Sequence, residues 1–207
     1  MLEVLGRANS ANVIKVVWLL DELGLPYTRT DAGGAFGRTN TPAYRAMNPT
    51  GNIPTLIEDG FVLWESNVIL RYLCGAHAPD SPMWPADLRV RAGVDRWMDW
   101  QQISMGPPGS RVFHGFIRTP PERRDMDAVG AAMTALGAQW ALLDAVLAGS
   151  PYVAGPDFTL ADISLGVHVH RWFSFDLLRP ELPHLHAWYG RLLQRPAYVT
   201  HAAQPVT

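Results

Sequence analysis

The sequence contains one cysteine, Cys74, in 207 residues, so it cannot form an intrachain disulfide. That usage fits a reducing compartment, and the expected location is the cytoplasm. Charge is sparse: only 17% of residues are Asp, Glu, Lys or Arg, and the net charge is -2. Without a basic excess, neither a nucleic-acid surface nor a polybasic membrane patch is expected. No run approaches the ~18–20 apolar residues that span a bilayer. The start, MLEVLGRANS, lacks the basic segment and long apolar stretch of a signal peptide. The seven histidines include no His-x3-His pair with a carboxylate, and His168 and His170, two apart, face different sides of a helix. No metal site is expected.

What is present is a 48% hydrophobic complement, enough for one large or two small cores. LEVLGR and YTRTDA read as strands around a helix in which Val13, Val16, Val17, Leu20 and Leu23 recur at helical spacing. Gly24 and Pro26 stop that helix. Residues 33–47 read as loop with one helical turn. PTLIED and FVLWE flank Asp59-Gly60, a hairpin signal. ESNVILRYLCGAH then puts Val68, Ile69, Tyr72 and Leu73 on one helical face. Prolines cluster between Pro79 and Pro85, which marks a linker over 79–86. Beyond it no strand is expected. Residues 87–103, 122–148, TLADISLGVHVHRW and LPHLHAWYGRLLQRP read as helices, with a long break at MGPPGSRVFHGFIRTPP. The expected architecture is an α/β domain over 1–78 followed by an all-α domain over 87–207.

Four short stretches carry chemistry. Pro54 opens a strand, where its missing N–H is tolerable, and Ile53-Pro54 is a setting for a cis bond. A cis bond would turn the Ile53 N–H and C=O toward an added peptide strand. The plainer reading is an ordinary trans proline at a sheet edge. Glu65 and Ser66 stand at a helix start, where the hydroxyl and free N–H groups suit a carboxylate and the acid suits an ammonium. Read alone, the pair is a capping serine with a solvated glutamate. Ser10, at the start of the first helix, is either a cap or a hydroxyl aimed at a substrate thiolate, with Asn12 a second donor. Thr159 and Asp162 form a capping-box signal concerned with folding.

Together NPTGNIPTL, WESNVILRYL, FTLADI and LGLPY resemble, in order and spacing, the cytosolic glutathione transferase superfamily over nearly the whole chain. The resemblance implies a thioredoxin-like domain followed by a helical one. It implies a homodimer, with glutathione as co-substrate, no tightly bound cofactor and a detoxifying transferase activity with accessory peroxidase chemistry. Glu65 and Ser66 would hold the γ-glutamyl end, and Ile53, ahead of Pro54, the cysteinyl part. Asn52 and Arg38 are candidates for the glycine carboxylate. No Tyr precedes residue 27 and no Cys lies near residue 10, so the tyrosine and cysteine types are excluded. Ser10, sixteen residues before Pro26, resembles the theta-like serine type. Asn12 resembles bacterial members in which Asn meets the sulfur. Ser10 is favoured. Trp97, Gln101, Met105, Arg111, Phe113 and Trp172 are candidates to line a pocket for a small hydrophobic electrophile, with core packing an equal reading for each. A non-catalytic binding or assembly module of the same fold is the alternative.

Overall fold

The computed structural model describes residues 1–175 and 179–207. Strand β1 (Leu2–Leu5) leads into helix α1 (Ala11–Glu22) and strand β2 (Tyr27–Thr30), then α2 (Pro42–Met47), β3 (Thr55–Glu58), β4 (Phe61–Trp64) and α3 (Ser66–His77). The sheet order is β2-β1-β3-β4, with β1 parallel to β2 and antiparallel to β3, and β3 antiparallel to β4. The β3–β4 hairpin pairs Glu58 with Phe61, leaving Asp59 and Gly60 as a two-residue loop. Both take positive φ, 46° and 90°, as such a tight turn requires. This is the βαβ–hairpin–helix order read from the sequence, in the thioredoxin-like arrangement that the resemblance implies.

A strand-free connection leads from α3 to α4 (Leu88–Trp100), and helices follow: α5 (Gly106–Phe113), α6 (Met126–Leu147), α7 (Leu160–Ser174), α8 (Pro183–Leu192) and α9 (Pro196–His201). The expected break at residues 105–121 is largely helical instead. A π-helical turn over 101–105 runs into α5, and a second follows over 114–118. Pro107 and Pro108 sit in the first turn of α5, where a helix needs no N–H from them. The short α9 was not expected.

Only α6 among the described helices has the length and hydropathy of a membrane span, a feature absent from the sequence-based expectation. Its apolar stripe of Val129, Ala132, Leu136, Trp140, Leu143 and Leu147 is buried in the core of the helical domain. Cys74 is fully buried, and burial alone pushes its thiol up to about 12, so it is chemically inert.

Helix α1 is the spine between the two domains. Its Trp18 is fully buried against Phe158 and Tyr198, with ring centroids 5.9 and 4.7 Å away. Gly166 of α7 makes that approach possible, since a Cβ there would stand 2.8 Å from the Trp18 ring. The Tyr198 hydroxyl donates to the Gly166 carbonyl at 2.8 Å. At the far end Arg195 grips Glu22 with two bonds of 2.8 and 2.6 Å. These contacts hold α1 at the seam between the domains.

Candidate functional site

The turn from β1 into α1 is tight. Gly6 has φ 159°, and a Cβ there would come within 2.4 Å of Val13 Cγ2. Residues 7–10 are therefore delivered directly over the first turn of α1. Ser10 occupies the cap position with extended φ/ψ of -84° and 125°, yet its side chain makes no capping bond. The hydroxyl is thus not consumed in the way the capping reading required. Ser10 and Asn12 both line a cavity of about 400 Å³ at the domain seam. The helix N-terminus adds free N–H groups and a positive partial charge on the same side.

Across the sheet edge, the Ile53–Pro54 bond is cis. Ile53 is half-buried, and its backbone N–H and C=O enter no hydrogen bond among the described residues. The segment before it is held from behind: the Tyr44 hydroxyl and Asn48 Nδ2 donate to the Asn52 carbonyl at 2.7 and 3.0 Å. The Asn52 and Arg38 side chains are exposed on that rim. Arg38 takes φ 69° in the loop after Gly37.

Glu65 takes φ 72° and ψ 109° at the head of α3, a conformation non-glycine residues avoid. The carboxylate stays exposed, while Ser66 is 3% exposed at the first position of the helix. The two thus combine an acid with a hydroxyl and a helix N-terminus, a pairing that fits a zwitterionic amino-acid head.

The expected electrophile pocket is only partly assembled. Gln101 and Phe113 line the cavity with Ser10. Trp97 turns its ring edge-on to Trp100 instead, with centroids 5.1 Å apart. Met105 is fully buried in the core, and Trp172, 3% exposed, packs toward Trp140. Arg111 is exposed and lines a separate surface depression. The reason lies in the π-helical turn: its extra residue rotates the stripe that 97, 101 and 105 would share. Gln102 reaches the cavity and Met105 turns inward.

Sequence reasoning missed four residues at this seam. Lys15, the only lysine of the chain, is fully buried and donates to Gln101 Oε1 at 2.9 Å and Asn67 Oδ1 at 3.4 Å. Gln101 Nε2 lies 3.0 Å from His168 Nε2. With the Gln101 oxygen turned to Lys15, its amide donates to His168, which is a neutral acceptor at Nε2. Burial holds His168 well below its ordinary value, with the Lys15 and Arg171 charges adding to the effect. His170, on the other side of α7, instead meets the Tyr189 hydroxyl at 2.9 Å. Arg7 and Arg171 complete the charged wall of the cavity. No local motif marks any of these, because the domains must dock before they meet.

An unpaired strand-edge peptide, an acid–serine helix head and an uncapped hydroxyl at a helix N-terminus lie on the thioredoxin-like domain. Comparison with known proteins gives the family. The glutathione S-transferase N-terminal domain matches residues 9–76, and the glutathione S-transferase C-terminal domain matches residues 123–191. Glutathione S-transferase GstB of Escherichia coli K12 is 38% identical over 199 residues, 95% of each chain. Glutathione S-transferase D7 of Drosophila melanogaster is 33% identical over 71% of this chain and 64% of its own. The crystal structure of the theta class glutathione S-transferase of Xanthomonas axonopodis pv. citri with glutathione bound matches with a TM-score of 0.95. It is 45% identical, over 100% of this chain and 99% of that one. The chain belongs to the glutathione S-transferase family.

Proposed function

We propose that the protein binds glutathione, holds it as the thiolate against Ser10, and conjugates it to a small electrophile. The observation that carries this reading is the Ser10 side chain, which occupies a cap position without capping and lines the cavity at the seam. In this reading the cysteinyl backbone pairs with Ile53, and the γ-glutamyl head sits on Ser66 with its ammonium toward Glu65. Asn52 and Arg38 reach the glycine carboxylate. The glutathione-bound relative from Xanthomonas supports the same ligand.

The chemistry follows from charge. A free thiol with a pKa near ~8.5 is mostly protonated at neutral pH. Lowering it by about two units takes roughly 2.7 kcal/mol of preference for the anion, within reach of one hydroxyl donor and a helix N-terminus. The sulfur then attacks a carbon held in the cavity, and placing the two reactants together supplies much of the rate. Asn12 stands close enough in sequence to be the second donor.

Ser10→Ala is expected to raise the pKa of bound glutathione and to lower kcat/KM by about one to two orders of magnitude, with little change in glutathione affinity. Ultraviolet titration of the thiolate in the complex, with Asn12→Ala beside it, decides which donor matters. An unchanged titration in both variants would overturn the activation scheme. Ser66→Ala should act oppositely, weakening glutathione binding by about tenfold, read by isothermal titration, while leaving the bound thiol pKa in place.

We further propose a cytoplasmic homodimer. The exposed Leu88, Val90 and Ile103, on α4 and the turn after it, are apolar residues that a second copy would cover.

A further inference from the structure

The cavity beside Ser10 is not apolar. Arg7, Arg171, His114 and His168 line it and, among the described residues, no Asp or Glu does, in a chain whose net charge is -2. Arg171 projects from α7 and donates through Nη2 to the Asn9 carbonyl at 3.1 Å, which fixes it just before Ser10. Its guanidinium carbon lies 4.2 Å from the centre of the Phe113 ring, and that of Arg118 lies 5.4 Å from the same ring. Arg7 reaches the same region from the β1–α1 turn. Arg7 and Arg171 form no ion pair with an Asp or Glu among the described residues, whereas Arg118 turns outward and donates through Nη2 to the main-chain oxygen of Thr207 at 3.1 Å. Guanidinium groups held this close repel one another. Arg171 shows it: burial, then Arg118, then Arg7 lower it from 12.5 to about 10. An anion in their midst removes that cost, and the planar fork of arginine suits a carboxylate or sulfonate.

We propose that this is an anion subsite for the electrophile: Arg171, with Arg7, selects substrates that carry a carboxylate or sulfonate on the reacting ring or chain. Phe113 offers its ring to an aromatic or short planar portion of the same molecule. The proposal rests on the transferase reading and adds the substrate class. For a halogenated aryl carboxylate, the thiolate sulfur gives its electron pair to the halogen-bearing carbon. The carbon–halogen bond then breaks, halide leaves with its pair, and the thiol proton has already passed to solvent. The carboxylate is spectator chemistry and serves only to hold the ring.

The test uses two matched pairs of compounds on the full chain. One pair is 4-chloro-3-nitrobenzoate and its carboxamide, with each enzymatic rate divided by the uncatalysed rate with glutathione. The other is the corresponding glutathione conjugates, carboxylate and carboxamide, measured by equilibrium binding. The wild type should favour the carboxylate by about tenfold in both measurements, and the preference should shrink as salt is raised. Arg171→Gln should bring the ratio near one. Arg7→Gln, at a half-buried position on the cavity wall, should lower it in part and serves if the first variant does not fold. Equal binding of the two conjugates by the wild type overturns the proposal, as does a preference that both variants keep. So does a loss in Arg171→Gln that falls wholly on glutathione itself, since that would make the arginine a tripeptide ligand. Carboxylate-selective binding without turnover of either chloroarene would sustain the subsite and sink the transferase reading. Turnover without selectivity would do the reverse.

Discussion

Asp162→Ala is expected to destabilise the fold by about 4 kcal/mol, far from the cavity and with no direct effect on glutathione. The carboxylate is fully buried. Its Oδ2 accepts from the Thr159 N–H at 2.8 Å and the Thr159 hydroxyl at 3.2 Å, and its Oδ1 from the Val153 N–H at 3.0 Å and Trp188 Nε1 at 2.9 Å. One side chain therefore ties the head of α7 to the 150–155 loop and to α8. Truncation leaves four donors in a dry interior, each costing about 1–3 kcal/mol if it finds no water. The four pull the carboxyl's pKa down, but burial outweighs them and raises it from 3.8 to about 6. Asp162→Asn keeps one acceptor and sets an amide N–H₂ against donors, so about half the loss is expected. Urea unfolding curves of the three proteins at one pH provide the check. A loss below about 1 kcal/mol for the alanine variant would mean that water reaches these donors after truncation.

Much of this architecture could be read from local chemistry, because the informative residues act over short separations. Asp59-Gly60 dictates a turn with both φ positive, and the turn fixes the β3–β4 register. Thr159 and Asp162 announce the head of α7 by their spacing alone. Ser10, Ile53-Pro54 and Glu65-Ser66 could be placed because each lies at the end of a strand or helix whose position the hydrophobic period gives away. The Gly106-Pro107-Pro108-Gly109 stretch misled for a physical reason. Its composition signals a breaker, yet prolines in a first turn, after a π-helical turn, cost the helix nothing. Helix α9 is six residues long, and only Tyr198 among them is buried, so it leaves almost no periodic signal. The charged wall of the cavity was beyond local reading altogether. Arg7 and Arg171 are 164 positions apart in sequence, and they converge because Gly166 lets α7 lie against Trp18 of α1.

Lys15→Met is expected to make the protein more stable at neutral pH, by about 1–4 kcal/mol, although it deletes two hydrogen bonds. Lys15 lies in α1 with its ammonium enclosed by the neutral amides of Asn67 and Gln101, and it has no ion pair among the described residues. Burial lowers its pKa from 10.5 to about 7; Glu65 pulls it upward and Arg171 pushes it further down. The sign of the linkage follows. Between pH about 7 and 10.5 the unfolded chain holds the proton and the folded chain does not, so stability rises with pH across that window. It is lost as pH falls through about 7, where the folded state must carry a buried cation, and the slope is at most about 1.4 kcal/mol per pH unit. Urea unfolding at pH 7, 8 and 9 should therefore show rising stability in the wild type and a flatter line in the methionine variant. The same slope in both would assign the titration elsewhere. The position also bears on the site, since Gln101 bridges Lys15 to His168 on the cavity wall. If that bridge positions Gln101 for the electrophile, Lys15→Met should raise KM for the electrophile while leaving the bound glutathione pKa where Ser10 sets it.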